Sequence, residues 1–327
     1  MYRLFYISLL LFLFSCEEEI TLDINKDSDV LVVEGSIEPG FPPYIILTKN
    51  QGFFDPIDSE TYSNLIVKDA EIKVWTEGSG DGFDTINLSY LSDELPVFTD
   101  ISWNQNYEFS KIGKTYFLEI KWKDQIITSF TTIPNPTPLD CLWVEESETG
   151  TKEWQCDIRA VYSDPPGIQN NVLIRSKRLE HYEKDTISAT QQLDTLPDSR
   201  FYLLDAGSDI LIDGQKFETY FPRPSESGGF PNGKYNSSHF KGSTFIPNDV
   251  VLIKFCQIDE PSLKFWRSLV RQFTTNGNPF SEPMNLVSNI NGGFGAWTGY
   301  APAYYKVPVV KDTVIFTGYN PTIDEIY

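Results

Sequence analysis

From residue 30 onward the chain is written mostly in short β-patterned runs separated by turn residues, and that rhythm points to stacked sheets. In residues 69–76, Ala70, Ile72 and Val74 alternate with Glu71, Lys73 and Trp75, so one face is apolar and the other wet. Thr115–Trp122 and residues 126–132 flank Lys123, Asp124 and Gln125 in the manner of a hairpin. Residues 30–33 are fully apolar, and 44–48 follow a turn built on Gly40, Pro42 and Pro43. Short strands at this spacing predict an N-terminal β-sandwich over 29–133, Ig-like or transthyretin-like.

Alternate prolines at 134, 136 and 138 enforce an extended path and predict a linker over 134–138. Beyond it, runs at 157–162, 171–177, 200–204, 210–221, 249–257 and 307–316 again read as strands. One stretch breaks the rhythm. Leu263, Trp266, Leu269, Val270 and Phe273 recur at helical spacing, with Asp259 as N-cap, Pro261 in the first turn and Gly277 as a stop. The expected fold is mainly β: two β-sandwich-like domains, the second over 139–327 with one amphipathic α-helix near 260–275.

The N-terminus is of another kind. Arg3 precedes an apolar run, 4–14, too short to span a ~30 Å hydrocarbon core and of the length of a signal-peptide core. The run ends in Leu13-Phe14-Ser15-Cys16, which resembles the bacterial lipobox, in which the cysteine is acylated and becomes the first mature residue. Residues 1–15 are therefore expected to be a lipoprotein signal peptide, and 16–28 an acidic tether. Glu17, Glu18 and Glu19 behind Cys16 resemble the surface-export signal of Bacteroidetes lipoproteins; as like charges they also keep a tether extended. The expected location is the outer membrane, lipid-anchored and facing the exterior.

Charge narrows the partners. With 46 acidic and 26 basic residues the net charge is −20, the wrong sign for releasing counterions from nucleic acid. The 40% hydrophobic content is enough for a core and argues against disorder. Besides Cys16 there are Cys141, Cys156 and Cys256. A disulfide between Cys141 and Cys156 across a hairpin is one reading, but an odd thiol leaves the pairing open. His181 and His239 have no zinc-like spacing to cysteine, and the sequence holds no nucleophile elbow, zincin helix or P-loop. The expectation is no catalytic residue, no metal and no cofactor. Gly-rich, aromatic residues 292–305 hold Trp297, Tyr300, Tyr304 and Tyr305, which have the composition of an interface anchor. They can equally lie buried beneath their own loop.

Three blocks carry a family resemblance. They are Ser163-Asp164-Pro165-Pro166-Gly167, Ile212-Asp213-Gly214-Gln215-Lys216-Phe217, and Phe265-Trp266-Arg267-Ser268-Leu269 followed by Asn276-Gly277-Asn278-Pro279-Phe280 and Asn289-Ile290-Asn291-Gly292-Gly293-Phe294-Gly295. With the lipobox, the acidic start and the Val30–Gly35 block, they resemble the Bacteroidetes lipoproteins catalogued as domain of unknown function 4249. The resemblance implies a β-rich, outer-membrane-anchored protein encoded beside TonB-dependent receptors. By analogy it implies a ligand- or partner-binding accessory subunit of a TonB-dependent nutrient uptake system. The alternatives are a structural or adhesive surface lipoprotein and, less favoured, a surface glycan hydrolase.

Overall fold

A computed structural model describes residues 30–50, 63–78, 82–147, 156–180, 201–221, 245, 249–275 and 286–326. The predicted alternation becomes sheet. In chain order the strands are β1 (Leu31–Ile37), β2 (Tyr44–Lys49), β3 (Glu71–Glu77), β4 (Phe83–Tyr90), β5 (Phe98–Thr99), β6 (Thr115–Trp122), β7 (Gln125–Thr132), β8 (Cys141–Glu146), β9 (Cys156–Ser163), β10 (Asn171–Glu180), β11 (Tyr202–Ser208), β12 (Lys216–Phe221), β13 (Val250–Gln257), β14 (Phe294–Gly299), β15 (Ala301–Pro308) and β16 (Val314–Ile315). Helix α1 spans Glu260–Thr275, and a single turn, α2, spans Ile323–Ile326. No described helix is long and apolar enough to cross a membrane.

The first sheet has eight strands in the order β14-β1-β2-β5-β4-β3-β6-β7. Its inward residues, among them Leu31, Val33, Ile45, Leu47, Ile72, Val74, Tyr116, Leu118 and Ile120, form one buried cluster. The β6–β7 hairpin turns as expected, with Lys123 at φ 53 beside the Trp122–Gln125 pair. The wet face is less polar than its pattern implies. Trp75, Phe117 and Phe130 fall in one register row across β3, β6 and β7, with ring centroids 5.6 and 6.3 Å apart. Such cross-strand aromatic pairs are an ordinary source of sheet stability.

The expected division at the proline linker is not how the sheets divide. Strand β14, far down the chain, pairs parallel with β1 from Val32–Phe294 to Ile37–Gly299. The opposite end of the sheet comes round to meet it: Thr128 and Asn291 exchange backbone hydrogen bonds of 3.0 and 2.8 Å. Thus residues from the 139–327 segment complete the 29–133 sheet. Glycine makes the approach feasible. A Cβ on Gly299 would stand 2.8 Å from the Thr132 carbonyl oxygen, and one on Gly295, at φ +107, would overlap that of Val33. The proline linker is itself tied down, since Gln257 Nε2 donates to the Thr137 carbonyl and Leu139 N–H donates to the Tyr305 hydroxyl at 2.7 Å.

The remaining strands form two four-stranded sheets, β11-β10-β13-β15 and β12-β9-β8-β16. Leu142, Val144, Ile158, Ala160 and Phe221 of one pack against Val251, Ile253, Phe255, Tyr305 and Val307 of the other. The alternate residues of β13 turn to the opposite face. There Cys256 joins Leu173 and Tyr300 beneath Leu263 and Trp266 of α1. Two of the predicted strand runs are broken by turns. Residues 210–214 form a turn before β12, and the 307–316 run is split by a turn with Asp312 at φ 66.

Asp259 does more than cap α1. Its Oδ1 accepts from Ser262 N–H at 3.0 Å, the N-cap bond the sequence predicts. Its Oδ2 accepts from Thr132 N–H at 2.8 Å and from the Thr131 hydroxyl at 2.9 Å, and that hydroxyl accepts from Gly299 N–H. One carboxylate therefore joins α1, β7 and β14. Asp259→Ala is expected to cost about 2–4 kcal/mol, combining a lost cap with the part-buried Thr132 N–H and Thr131 hydroxyl left without this acceptor. Asp259→Asn, which keeps fewer acceptor sites, should fall between, as read by denaturant melts.

Candidate functional site

Two of the three sequence blocks meet in space. Strand β9 ends at Ser163, and the chain turns through Asp164-Pro165-Pro166-Gly167 before entering β10; β11 ends at Ser208 and turns through 209–215 before β12. Prolines fix φ on the first turn, and Gly167 (φ 73) and Gly214 (φ 70) supply the left-handed positions. A Cβ on Gly214 would lie 2.9 Å from that of Pro166, which is how closely the two turns approach.

Carboxylates pin the turns together. Asp164 Oδ2 accepts from Gly214 N–H at 2.9 Å, while its Oδ1 accepts from the Tyr162 hydroxyl and the Asn170 amide. Asp209 Oδ2 accepts from Asn170 N–H at 2.7 Å, and Asp213 Oδ1 accepts from Gly167 N–H at 2.8 Å. Oxygens of the three acids lie within 4.8 Å of one another; Asp164 and Asp209 are buried and Asp213 is exposed. No ion pair joins any of the three to a lysine or arginine among the described residues. Burial and the neighbouring Asp164 charge push the Tyr162 hydroxyl up to about 12, so it stays a donor. Chemically, the triad offers the hard oxygen donors that suit a cation such as Ca²⁺, while the amide donors already explain why each acid is there. On the same turns Ile168, Ile210 and Leu211 are 60%, 69% and 90% exposed. The result is a stiff, acidic, apolar tip. Its parts were visible in the sequence as separate turns; their meeting was not.

A second polar cluster is fully internal. Lys254 Nζ lies 2.6 Å from Glu38 Oε2, with both side chains almost wholly buried. Tyr304 donates to the same carboxylate at 2.9 Å, and the ammonium sits 4.4 Å from the centroid of the Tyr300 ring. Glu38 follows β1, whereas Lys254 and Tyr304 belong to β13 and β15, so the pair ties the first sheet to the second.

These placements correct two expectations. Trp297, Tyr300, Tyr304 and Tyr305 are not an exposed interface: they are 0%, 3%, 5% and 1% exposed. Trp297 fills the first core and donates from Nε1 to the Tyr116 carbonyl at 3.1 Å; the glycines that suggest a loop instead let β14 approach β1. Nor are Cys141 and Cys156 bridged. In the β8–β9 ladder Cys141 faces Val161 and Cys156 faces Glu146, which sets the two cysteines at opposite ends of the hairpin, about 16 Å apart at strand rise. Cys16, Glu17, Glu18 and Glu19 lie outside the described residues.

The thiols give a direct check. Burial pushes Cys256 up to about 12 and raises Cys156, the latter helped by Asp157 and Glu146. Only the thiolate alkylates, and burial of Cys256 both disfavours that form and keeps the reagent away. In the native protein, iodoacetamide at pH 8 is expected to spare Cys256 and Cys156 until denaturant is added. Mass spectrometry finding rapid native labelling of Cys256 would contradict its placement.

Among the described residues the architecture is mainly β, with three sheets, a sandwich, a flanking helix and a stiff acidic tip. Residues 17–305 match the family described as Domain of unknown function (DUF4249), and the chain belongs to it. A search of curated proteins gives no match.

Proposed function

We propose that this protein is a lipid-anchored accessory subunit on the outer surface of the outer membrane, binding a ligand or partner for a TonB-dependent nutrient uptake system. The observation that carries the reading is where the family match starts: at residue 17, directly behind Cys16, the position at which an acylated mature chain would begin. Acylation supplies membrane affinity that a chain of net charge −20 lacks. Confinement near a membrane raises the effective concentration of any partner there, so a modest interface suffices. A scaffold tied by the Asp259 and Glu38 links suits the presentation of loops.

Cys16→Ser is expected to move the protein from the membrane pellet to the soluble fraction. Gentle solubilisation of the wild type should retrieve a barrel receptor at near-equal stoichiometry. Quantitative pelleting of the Ser variant, or isolation of the wild type as a lone monomer, would remove the reading. The adhesive alternative draws on the aromatic row of Trp75, Phe117 and Phe130, on a face where Phe130 is 54% exposed. Loss of cell–cell contact in a Phe130→Ser strain, with uptake intact, would favour it.

A further inference from the structure

We infer that the tip built from residues 164–170 and 209–215 docks on a partner protein whose complementary surface is an apolar pocket rimmed by lysine and arginine. The inference rests on the accessory-subunit reading and assigns its docking surface. Single exposed apolar side chains are common and need no explanation. Here Ile210 and Leu211 are consecutive and Ile168 stands on the facing turn, with Leu211 90% exposed. Pro165, Pro166, the left-handed glycines and the carboxylate pins hold both turns, so little ordering cost attends binding. A rigid apolar projection of this kind is suited to fill a pocket.

The charge decides among occupants. Asp164, Asp209 and Asp213 sit behind the projection, with no lysine or arginine paired to them among the described residues. Two such tips facing each other would set one exposed Asp213 carboxylate against another, each with two buried acids behind it, which opposes a second copy of this chain as the occupant. A leaflet rich in anionic lipid is disfavoured for the same reason. A protein pocket with a basic rim matches both the apolar projection and the acids behind it.

Three fluorescent peptides of one length test the chemistry against the full-length protein in detergent: a leucine/lysine amphipath, a leucine/glutamate amphipath and a serine/lysine control. Vesicles of phosphatidylcholine, with and without phosphatidylglycerol and with and without Ca²⁺, are run alongside. The wild type is expected to prefer the leucine/lysine peptide. Ile210→Ser with Leu211→Ser should weaken that binding at least tenfold while leaving the serine/lysine control unchanged, and Asp213→Asn should weaken it several-fold. Ile126→Ser, a 61%-exposed position on β7, serves as the control substitution and should change nothing. Equal affinity for wild type and the tip variant overturns the inference. So does a tip-dependent loss of vesicle binding without loss of peptide binding, which would make the occupant a membrane. In native membranes, receptor co-purification that survives the tip variant removes the docking assignment but leaves the accessory-subunit reading standing; no receptor with the wild type removes that reading instead. The tip variants should melt as the wild type does, since the altered side chains are exposed.

Discussion

Lys254→Ala is expected to destabilise the protein by about 3–5 kcal/mol, because it strands the Glu38 carboxylate inside the fold. Water cannot readily replace the lost ammonium: both side chains are almost wholly buried, and aromatic rings of Tyr300, Tyr304 and Phe201 lie within 5.5 Å of Nζ. Tyr304 still donates to Glu38, but one neutral hydroxyl does not offset a buried negative charge. Glu38→Ala should cost a similar amount by stranding the lysine. Joining Glu38→Gln with Lys254→Met removes both charges and should recover much of either loss, since a buried ion pair contributes little over a neutral replacement. A double-mutant cycle from urea melts reads the coupling directly. Single variants as stable as the wild type would mean that the pair is not buried as described.

Gly295→Ala is the second large effect, about 3–5 kcal/mol from overpacking together with backbone strain. At φ +107 an alanine is strained wherever its methyl goes, and here the methyl runs into the Val33 carbonyl oxygen of the neighbouring strand. Strand β14 then has to withdraw from β1 and carry Trp297 out of the first core. Limited proteolysis should cut within 286–300 in the variant and not in the wild type. Gly40→Ala is the comparison: it also has positive φ, +79, but nothing lies within 4 Å of the added methyl, so about 1 kcal/mol is expected. Similar losses at the two sites would show that strain alone, and not the approach of two strands, governs Gly295.

Features governed by near neighbours were legible in the sequence. Alternation placed β3, β6 and β7, and helical spacing with an aspartate cap placed α1, because period and capping are local physics. Partnership over long separations was not legible. Nothing in Phe294–Gly299 says that its neighbour is β1, and its glycines weigh against a strand on propensity even though contact with β1 demands them. That ambiguity also explains Trp297, Tyr300, Tyr304 and Tyr305: aromatic residues among glycines have one composition whether they cover a partner or fill a core. The acidic tip failed for a different reason. Each of its turns was readable, but Asp164 and Asp213 belong to separate connections, and only the folded sheets bring them together. The two Asp259 oxygens make the point within one residue: the cap bond is local and was foreseen, while the bonds to Thr131 and Thr132 cross more than a hundred residues and were not.

The parallel pairing of β1 with β14 also sets the order in which the molecule can be completed. Strand β1 precedes every other described strand, yet its neighbour on one side, β14, follows it by the whole of β2 to β13 and so leaves the ribosome long after it. Until then β1 presents a row of unsatisfied amide and carbonyl groups, the kind of edge on which chains aggregate. Closing such a distant pair is slow, because loop entropy is lost before the contact forms. A chain that emerges N-terminus first thus stays open along one seam until β14 has followed β1 out, and gains its finished first sheet only when that distant strand returns to pair.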